Sequence, residues 1–152
     1  MKTKIFISYV RENLEIVQKI KDELTYAGVN VWLDEISLKP GVRWKVEIKN
    51  SIEESDFFIA IFSKEYSEKY QTFMNEELII AIEKFRMINQ DEVWLIPAKI
   101  DNCKIPDLKI GLGETLNSLH WVDFKSGDIN KGLEQLFSII SPTRELETVS
   151  IK

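Results

Sequence analysis

The six residues Phe57-Phe58-Ile59-Ala60-Ile61-Phe62 form the longest strongly apolar run in the chain, and they decide the fold class. A continuous apolar run of this length, rich in aromatic and β-branched side chains, is typical of a strand that is covered on both faces. Such strands occur in parallel sheets flanked by helices. We therefore predict that this run is the central strand of an α/β domain.

Strand-length apolar runs continue on either side and alternate with segments of helical period. The predicted strands are Lys4–Ser8, 29–33, Phe57–Phe62, 93–98 and 119–124, and the predicted helices cover 13–27, 44–52, 73–88 and 128–140. Gly28 lies where a glycine ends the first helix, and Thr72 is the expected N-cap of the long one. Pro97 indicates an end or an irregularity in the fourth strand, Gly132 interrupts the last helix, and residues 101–118 are predicted to be a loop. The alternation predicts βαβ units in a doubly wound, five-stranded parallel sheet of order 2-1-3-4-5 with helices on both faces.

Length and composition limit the chain to one globular domain. The chain has 152 residues, of which 44% are hydrophobic and 30% charged, and 20 Lys+Arg against 25 Asp+Glu give a net charge of -5. We expect a domain over 1–140 and a polar tail or linker start over 141–152. The negative charge argues against direct binding of nucleic acid. No apolar run reaches the roughly 20 residues of a membrane helix, and no secretory signal is visible, so a cytoplasmic protein is expected.

The scarcity of two residue types excludes several classes of site. The chain contains one cysteine, Cys103, and one histidine, His120. These numbers exclude an intramolecular disulfide, a Cys/His zinc site and a conventional Ser-His-Asp triad with a spare base. We expect no metal, a structural His120 inside the fifth strand, and a Cys103 thiol without activation. Any chemistry must come from carboxylates, hydroxyls, lysines or tyrosines.

The predicted strand order places a crevice beyond the carboxyl ends of strands one and three. The groups expected at this crevice are Ser8, Tyr9, Arg11, residues 63–71 and, on the first turns of the following helix, Glu76 and Glu77. We expect both glutamates to be partly exposed at its edge. Two other nucleotide or phosphate chemistries do not fit, because the strand ends lack the aspartates of a phosphoacceptor receiver and no glycine-rich loop precedes a Lys-Ser or Lys-Thr pair.

Four short motifs in this order resemble those of Toll/interleukin-1 receptor (TIR) domains. They are Phe6-Ile7-Ser8-Tyr9, then Val31-Trp32-Leu33-Asp34 with Leu38-Lys39-Pro40-Gly41 and Trp44, then Ile61-Phe62-Ser63, and Asn75-Glu76-Glu77-Leu78 with Ala81. The resemblance implies a flavodoxin-like fold. It also implies self-association through the family's BB loop, here residues 34–43, with Leu38, Lys39, Pro40 and Gly41 as its assembly residues.

TIR domains are either scaffolds that act by self-association or enzymes that cleave the nicotinamide-ribose bond of NAD+. In the enzymes an essential glutamate follows the third strand, often four residues after a tryptophan. Glu77 matches that glutamate, and Phe73 replaces the tryptophan, which keeps an aromatic face but loses the indole N–H. The resemblance further implies that Ser8, Tyr9, Arg11, Asp34, Trp44, Ser63 and Phe73 bind substrate, with Arg11 near the pyrophosphate and Trp44 and Phe73 around the nicotinamide half.

The chemistry implied by this resemblance agrees with the residue composition. Nicotinamide leaves NAD+ as a neutral molecule, so no proton donor is needed, and one carboxylate can stabilise the oxocarbenium-like centre without a metal or cofactor. The expected products are nicotinamide and ADP-ribose or a cyclic isomer, in a prokaryotic-type defence or cell-death system. Three alternatives stay open: Glu77 as an ordinary surface carboxylate, a non-enzymatic TIR scaffold or mimic, and a nucleoside-type transferase.

Overall fold

The computed structural model describes residues 2–33, 40–69, 72–125 and 128–140. Its strands are β1 (Lys4–Ser8), β2 (Asn30–Leu33), β3 (Phe57–Phe62), β4 (Leu95–Lys99), β5 (Lys109–Gly111), β6 (Glu114–Thr115) and β7 (Val122–Asp123). Its helices are α1 (Leu14–Tyr26), α2 (Trp44–Glu54), α3 (Lys64–Glu68), α4 (Phe73–Met87) and α5 (Asn130–Ile140). The predicted tail, 141–152, lies outside the described residues.

Five of the strands form one parallel sheet in the order β2-β1-β3-β4-β7. Because β5 and β6 pair only with each other, β7 is the fifth strand of this sheet, and the predicted order 2-1-3-4-5 is confirmed. Ser8, the last residue of β1, lies opposite Ala60 of β3. The carboxyl ends of β1 and β3 are therefore neighbours, as the crevice prediction requires.

The sheet separates two apolar layers, which confirms helices on both faces. Ile5 and Ile7 pack with α1 and α5, whereas Phe6 packs with α2 and α4. This division follows from the strand period of two residues, which sends alternate side chains to opposite faces. Phe6 also stacks between Trp32 and Phe58, with ring centroids 5.1 and 5.4 Å apart. The central strands are thus fixed by burial on both sides, each fully buried large side chain contributing roughly 1.5–3 kcal/mol.

Short elements account for the main differences from the predicted fold. The segment after β3, for which no helix is predicted, contains α3, and the predicted loop 101–118 contains the β5–β6 hairpin. The fifth strand of the sheet is only Val122–Asp123, because its pairing with β4 involves just Ala98 and Lys99. His120 is exposed and precedes that strand, so its prediction as a residue inside a strand is wrong.

The predicted helix ends are confirmed. Gly28 has a positive φ of 92° just after α1, and its N–H donates to the carbonyl of Thr25. Thr72 caps α4, its Oγ1 accepting the N–H of Met74 at 3.3 Å. Helix α5 runs through Gly132 without the predicted interruption. No helix in the described ranges is both long enough and apolar enough to cross a membrane.

Candidate functional site

Glu77 is the most buried carboxylate position of the predicted crevice. Its exposed fraction is 0%, and it lies on the face of α4 that also carries Met74, Leu78 and Ala81. Positions 74, 77, 78 and 81 form one stripe of a 3.6-residue helix, and that stripe packs on the sheet. The expectation that Glu77 is partly exposed is therefore wrong. Its neighbour Glu76, one position around the helix, is exposed as expected.

Ser8 at the end of β1 contacts this buried glutamate directly. The Ser8 hydroxyl donates a hydrogen bond to Oε1 of Glu77 over 2.6 Å, and neither residue has any exposed surface. Ser8 lies two residues after Phe6, so the strand alternation directs its side chain to the same face, toward α4. Two of the residues that the motifs single out, 69 positions apart, thus form one buried polar pair.

A network of polar side chains joins the loop after β1 to the segment after β3. Ser63 Oγ donates to Oδ1 of Asn13 over 2.6 Å, and Nδ2 of Asn13 donates to Oε1 of Glu65 over 2.8 Å. The Lys69 ammonium lies 2.8 Å from the Glu12 carboxylate and lowers the pKa of that carboxyl by its hydrogen bond. The sequence predicts Ser63 here but not Asn13, which it places only as the start of a helix.

Tyr66 fixes the start of α4 relative to α3. Its hydroxyl donates to Oδ1 of Asn75 over 2.6 Å, and its ring packs edge-on against Phe62 with centroids 5.1 Å apart. Burial raises the pKa of Tyr66, so the phenol stays protonated and can keep donating. Asn75 immediately precedes the two glutamates, which makes this contact part of the support of the site.

Trp44 and Phe73 lie together beside the same helix start. They are the first residues of α2 and α4, and their ring centroids are 4.9 Å apart at an interplanar angle of 51°. Phe73 is one turn before Glu77 on α4, and Trp44 keeps 41% of its surface exposed. This exposure is unlike that of a core residue. The pair offers an aromatic surface near the carboxylate.

The remaining predicted site residues are scattered. Tyr9 is 4% exposed and packs in the α1–α5 layer, on the sheet face opposite to that of Ser8, whereas Arg11 is exposed. Pro40 and Gly41 are exposed just before α2, and Gly41 has a positive φ of 87°. Asp34, Leu38 and Lys39 lie outside the described residues. The structure thus brings together Ser8, Glu77, Phe73 and Trp44, and it places Ser63 in the neighbouring network.

Cys103 lies beyond the end of β4 and is not an activated thiol. Burial, and then the neighbouring Asp101 carboxylate, raise the pKa of Cys103 to about 12. Asp101 also accepts the backbone N–H groups of Lys64 and Cys103 over 2.8 and 2.9 Å. Burial raises the pKa of Asp101 while these hydrogen bonds lower it, and the net change is a lowering. The described residues contain no group of three or more His, Cys, Asp and Glu side chains that could hold a metal ion.

A cavity of the described part of the chain lies away from Glu77, whose own side chain has no exposed surface. A cavity of about 880 Å³ lies near the amino-terminal ends of β4 and β7, with Arg86, Trp94, His120 and Trp121 among its lining residues. Ligands of open α/β sheets bind at the opposite, carboxyl-terminal edge. The reactive groups singled out above lie at that edge, so we assign the candidate site to Glu77 and its neighbours.

Known proteins with similar sequences belong to the family that the four motifs resemble. Residues 5–137 match a family profile described as TIR domain. The protein named 2' cyclic ADP-D-ribose synthase AbTIR, from Acinetobacter baumannii (strain 1295743), is 28% identical in an alignment of 131 residues. The alignment covers 82% of this chain and 48% of that protein. The chain therefore spans about half the length of this curated relative.

Two solved structures are similar over most or much of the chain. The TIR domain of the Toll-related receptor TRR-2 from Hydra magnipapillata matches with a TM-score of 0.68 and 20% identity, covering 90% of this chain and 96% of that one. The TIR domains of the activated Roq1 resistosome match with a TM-score of 0.55 and 25% identity, covering 66% of this chain and 58% of that one. The first of these similarities concerns the fold alone.

Proposed function

Because this chain belongs to the TIR domain family, we propose that it is an NAD+ nucleosidase in which Glu77 is the catalytic carboxylate. The proposed reaction breaks the bond between nicotinamide and ribose. The observation that carries the proposal is the fully buried Glu77, held by Ser8 at the carboxyl-terminal edge of the sheet. The similarity to a 2' cyclic ADP-D-ribose synthase supports it, because a cyclic ADP-ribose is what NAD+ yields when nicotinamide leaves and a hydroxyl of the same molecule replaces it.

The electron balance of this reaction explains why a single carboxylate suffices. When the bond from the ribose C1' to the pyridinium nitrogen breaks, its electron pair stays on that nitrogen and neutralises the nicotinamide. No proton has to be delivered to the leaving group, unlike in the hydrolysis of an ordinary glycoside. Positive charge develops on the ribose, and a negatively charged carboxylate in a site of low dielectric stabilises it. Water or a hydroxyl of the ADP-ribose then bonds to C1' and releases a proton.

The other predicted site residues have proposed roles of their own. The exposed guanidinium of Arg11 would meet the pyrophosphate, and the aromatic pair Trp44 and Phe73 would contact the nicotinamide half. Tyr9, Asp34 and Ser63 complete the proposed set of substrate-binding residues. NAD+ would be the substrate and no separate cofactor is needed. We place the reaction in the cytoplasm, where consumption of NAD+ would serve a defence or cell-death response.

Glu77 must become accessible before it can touch a substrate, because a side chain with 0% exposure makes no contact with solution. We propose that self-association of TIR domains through residues 34–43 drives this change, with Leu38, Lys39, Pro40 and Gly41 at the contact. The similar TIR domains of Roq1 belong to an activated assembly, which supports this proposal. Specific activity that increases with protein concentration is expected, and constant specific activity across the monomer-oligomer transition would contradict it.

The test measures nicotinamide released from NAD+ by purified protein, with Glu77→Gln and Glu76→Gln as a matched pair. Both variants remove one charge from α4 and keep the side-chain size, but only Glu77 is buried beside Ser8. We expect Glu77→Gln to lose roughly a hundredfold or more of kcat, as for removal of one preorganised electrostatic group. Glu76→Gln should stay within about twofold of the wild type. Equal activity in the two variants would refute the role of Glu77.

The same burial is also compatible with one alternative function, a TIR scaffold that acts by binding other TIR domains. A carboxylate without exposed surface is compatible with a protein that does no chemistry. The scaffold is the correct function if the concentrated, self-associated protein binds TIR partners but releases no nicotinamide. The two functions are therefore separated by the assay already described, run above the concentration at which the protein self-associates.

A further inference from the structure

We propose that Ser8 is a positioning residue that sets the orientation of the Glu77 carboxylate, and that it does not bind the substrate itself. This inference rests on the proposed function, and it changes the role expected for Ser8. A serine hydroxyl has one proton to donate. In this protein that proton goes to Oε1 of Glu77 over 2.6 Å, from a residue without any exposed surface.

The placement of Ser8 makes this contact rigid on one side. Ser8 ends β1, the strand that lies between β2 and β3, and its register partner in β3 is Ala60. Both Ser8 and Ala60 are 0% exposed, so the Ser8 side chain lies inside the packed core beside the central strands. The donor is therefore fixed by the sheet, which is the most rigid element that the fold offers.

The partner has more freedom, because a glutamate side chain has three rotatable bonds. A donor at a fixed point removes much of this freedom by holding one carboxylate oxygen at a defined distance from the sheet. The hydrogen bond also favours the charged form of the carboxylate, because it is donated to that form. Both effects act on the transition state, where the negative charge must meet the developing positive charge of the ribose. In the ground state the positive charge lies on the pyridinium ring and not on C1', so binding of NAD+ gains less from either effect than the transition state does.

The experiment compares steady-state kinetics and pH profiles of Ser8→Ala with those of the wild type, by nicotinamide release from NAD+. We expect kcat to fall on the order of tenfold to a hundredfold, as for the loss of one hydrogen bond to a charged group, with KM changed less than about threefold. We also expect the acidic limb of the kcat profile to move to higher pH. A folding defect would lower the amplitude at every pH without moving that limb.

Ser55→Ala is the matched control. Ser55 is also buried and also donates a 2.6 Å hydrogen bond, but its acceptor is the carbonyl of Ser51 at the end of α2. The Ser55→Ala variant should keep kcat within about twofold of the wild type and should leave the position of the acidic limb unchanged. Ser8→Thr and Ser8→Val form a second pair of equal volume that differs only in the hydroxyl. We expect the threonine variant to be at least fivefold faster than the valine variant, even where the added methyl group affects both.

Three results would overturn the proposal. An increase in KM with kcat unchanged in Ser8→Ala would make Ser8 a substrate ligand, and wild-type kinetics would give it no role. A double-mutant cycle of Ser8→Ala and Glu77→Met, which removes both carboxylate oxygens at similar side-chain length, is measured by urea unfolding and needs no activity. Unfolding effects that are less than additive support the coupled pair, and additive effects overturn it. If Glu77→Gln is as active as the wild type, the proposed function fails, while the cycle still decides whether Ser8 holds this carboxylate.

Discussion

Asn13→Ala should destabilise the protein more than the same substitution does at an ordinary, exposed asparagine at the start of a helix. Asn13 is 7% exposed. Its amide group accepts a hydrogen bond from the Ser63 hydroxyl and donates a hydrogen bond to the Glu65 carboxylate. Removing it leaves the Ser63 hydroxyl, itself 0% exposed, without this acceptor, which costs about 1–3 kcal/mol. The lost bond to Glu65 adds less than about 1 kcal/mol, because that carboxylate is only half-buried and can bind water instead.

The sum predicts a loss of about 1–4 kcal/mol in the free energy of unfolding, measured by urea denaturation followed by circular dichroism. For a domain of this size, such a loss lowers Tm by about 2–16 °C. Asn117→Ala is the matched control. The Asn117 amide also donates to a carboxylate, that of Asp107, but over 3.4 Å and on the surface, so its removal should cost less than about 0.5 kcal/mol.

Asn13→Asp separates the two halves of this network. The new carboxylate could still accept the hydrogen bond from the Ser63 hydroxyl. On its other side, however, a carboxylate oxygen would face the Glu65 carboxylate where the amide N–H of Asn13 now donates. The two carboxylates repel each other in the folded state, and protonation at low pH relieves this repulsion and so favours folding. The stability deficit of this variant should therefore shrink as the pH falls through the carboxyl range. An Asn13→Ala variant as stable as Asn117→Ala would refute the reasoning.

Two further predictions concern packing and reactivity. Gly132→Ala should destabilise the protein by about 1–3 kcal/mol in urea unfolding, because an added Cβ would lie 2.3 Å from Cδ1 of the buried Phe124 and 2.9 Å from a backbone carbonyl oxygen. Gly111→Ala should have little effect, because an added Cβ there would have no atom within 4 Å. Equal stability of the two variants would contradict this prediction. Cys103, whose pKa is raised to about 12, should react with iodoacetamide at pH 8 at least a hundredfold more slowly than free cysteine. A rate like that of free cysteine would show that neither burial nor the Asp101 carboxylate raises the pKa of this thiol.

The long elements of the fold could be predicted because their signals are local. The run Phe57–Phe62 is apolar at every position, and the ends of α1 and α4 carry Gly28 and Thr72, whose preferences come from backbone conformation and capping. The order of the strands follows from the alternation of strands and helices, which leaves few allowed topologies. None of these inferences needs knowledge of a distant contact.

The missed elements are those that depend on tertiary contacts. Helix α3 has five residues, too few to be stable alone, and it is held by the Ser63 cap and by packing of Tyr66 on Phe62. The β5–β6 hairpin has three and two residues, and the buried Ile110 anchors its first strand. Asn13 carries no local signal for its role, because both of its partners lie about 50 positions away along the chain.

The candidate site shows the same limit at a single residue. The helical pattern of α4, with Leu78 and Ile82 taken as the buried side, predicts that Glu77 lies at the edge of the stripe. The observed stripe is centred between Glu77 and Leu78, and Ile82 is only half-buried. A carboxylate is normally read as a solvent-facing residue, so its presence biases the predicted stripe away from itself. The family resemblance, and not the periodicity, singles out the correct glutamate.

The burial of Glu77 also bears on the choice between an enzyme and a scaffold. An apolar side chain at this position would pack against Met74, Leu78 and Ala81 without the desolvation that a carboxylate suffers. A scaffold gains nothing at its surface from a charged group that its surface does not expose. An enzyme does gain, because the same low-dielectric surroundings that make a buried carboxylate costly also strengthen its attraction for a positive charge on the ribose. Catalysis thus gives a reason for the cost of burying this carboxylate, and this reason is the argument for the nucleosidase over the scaffold.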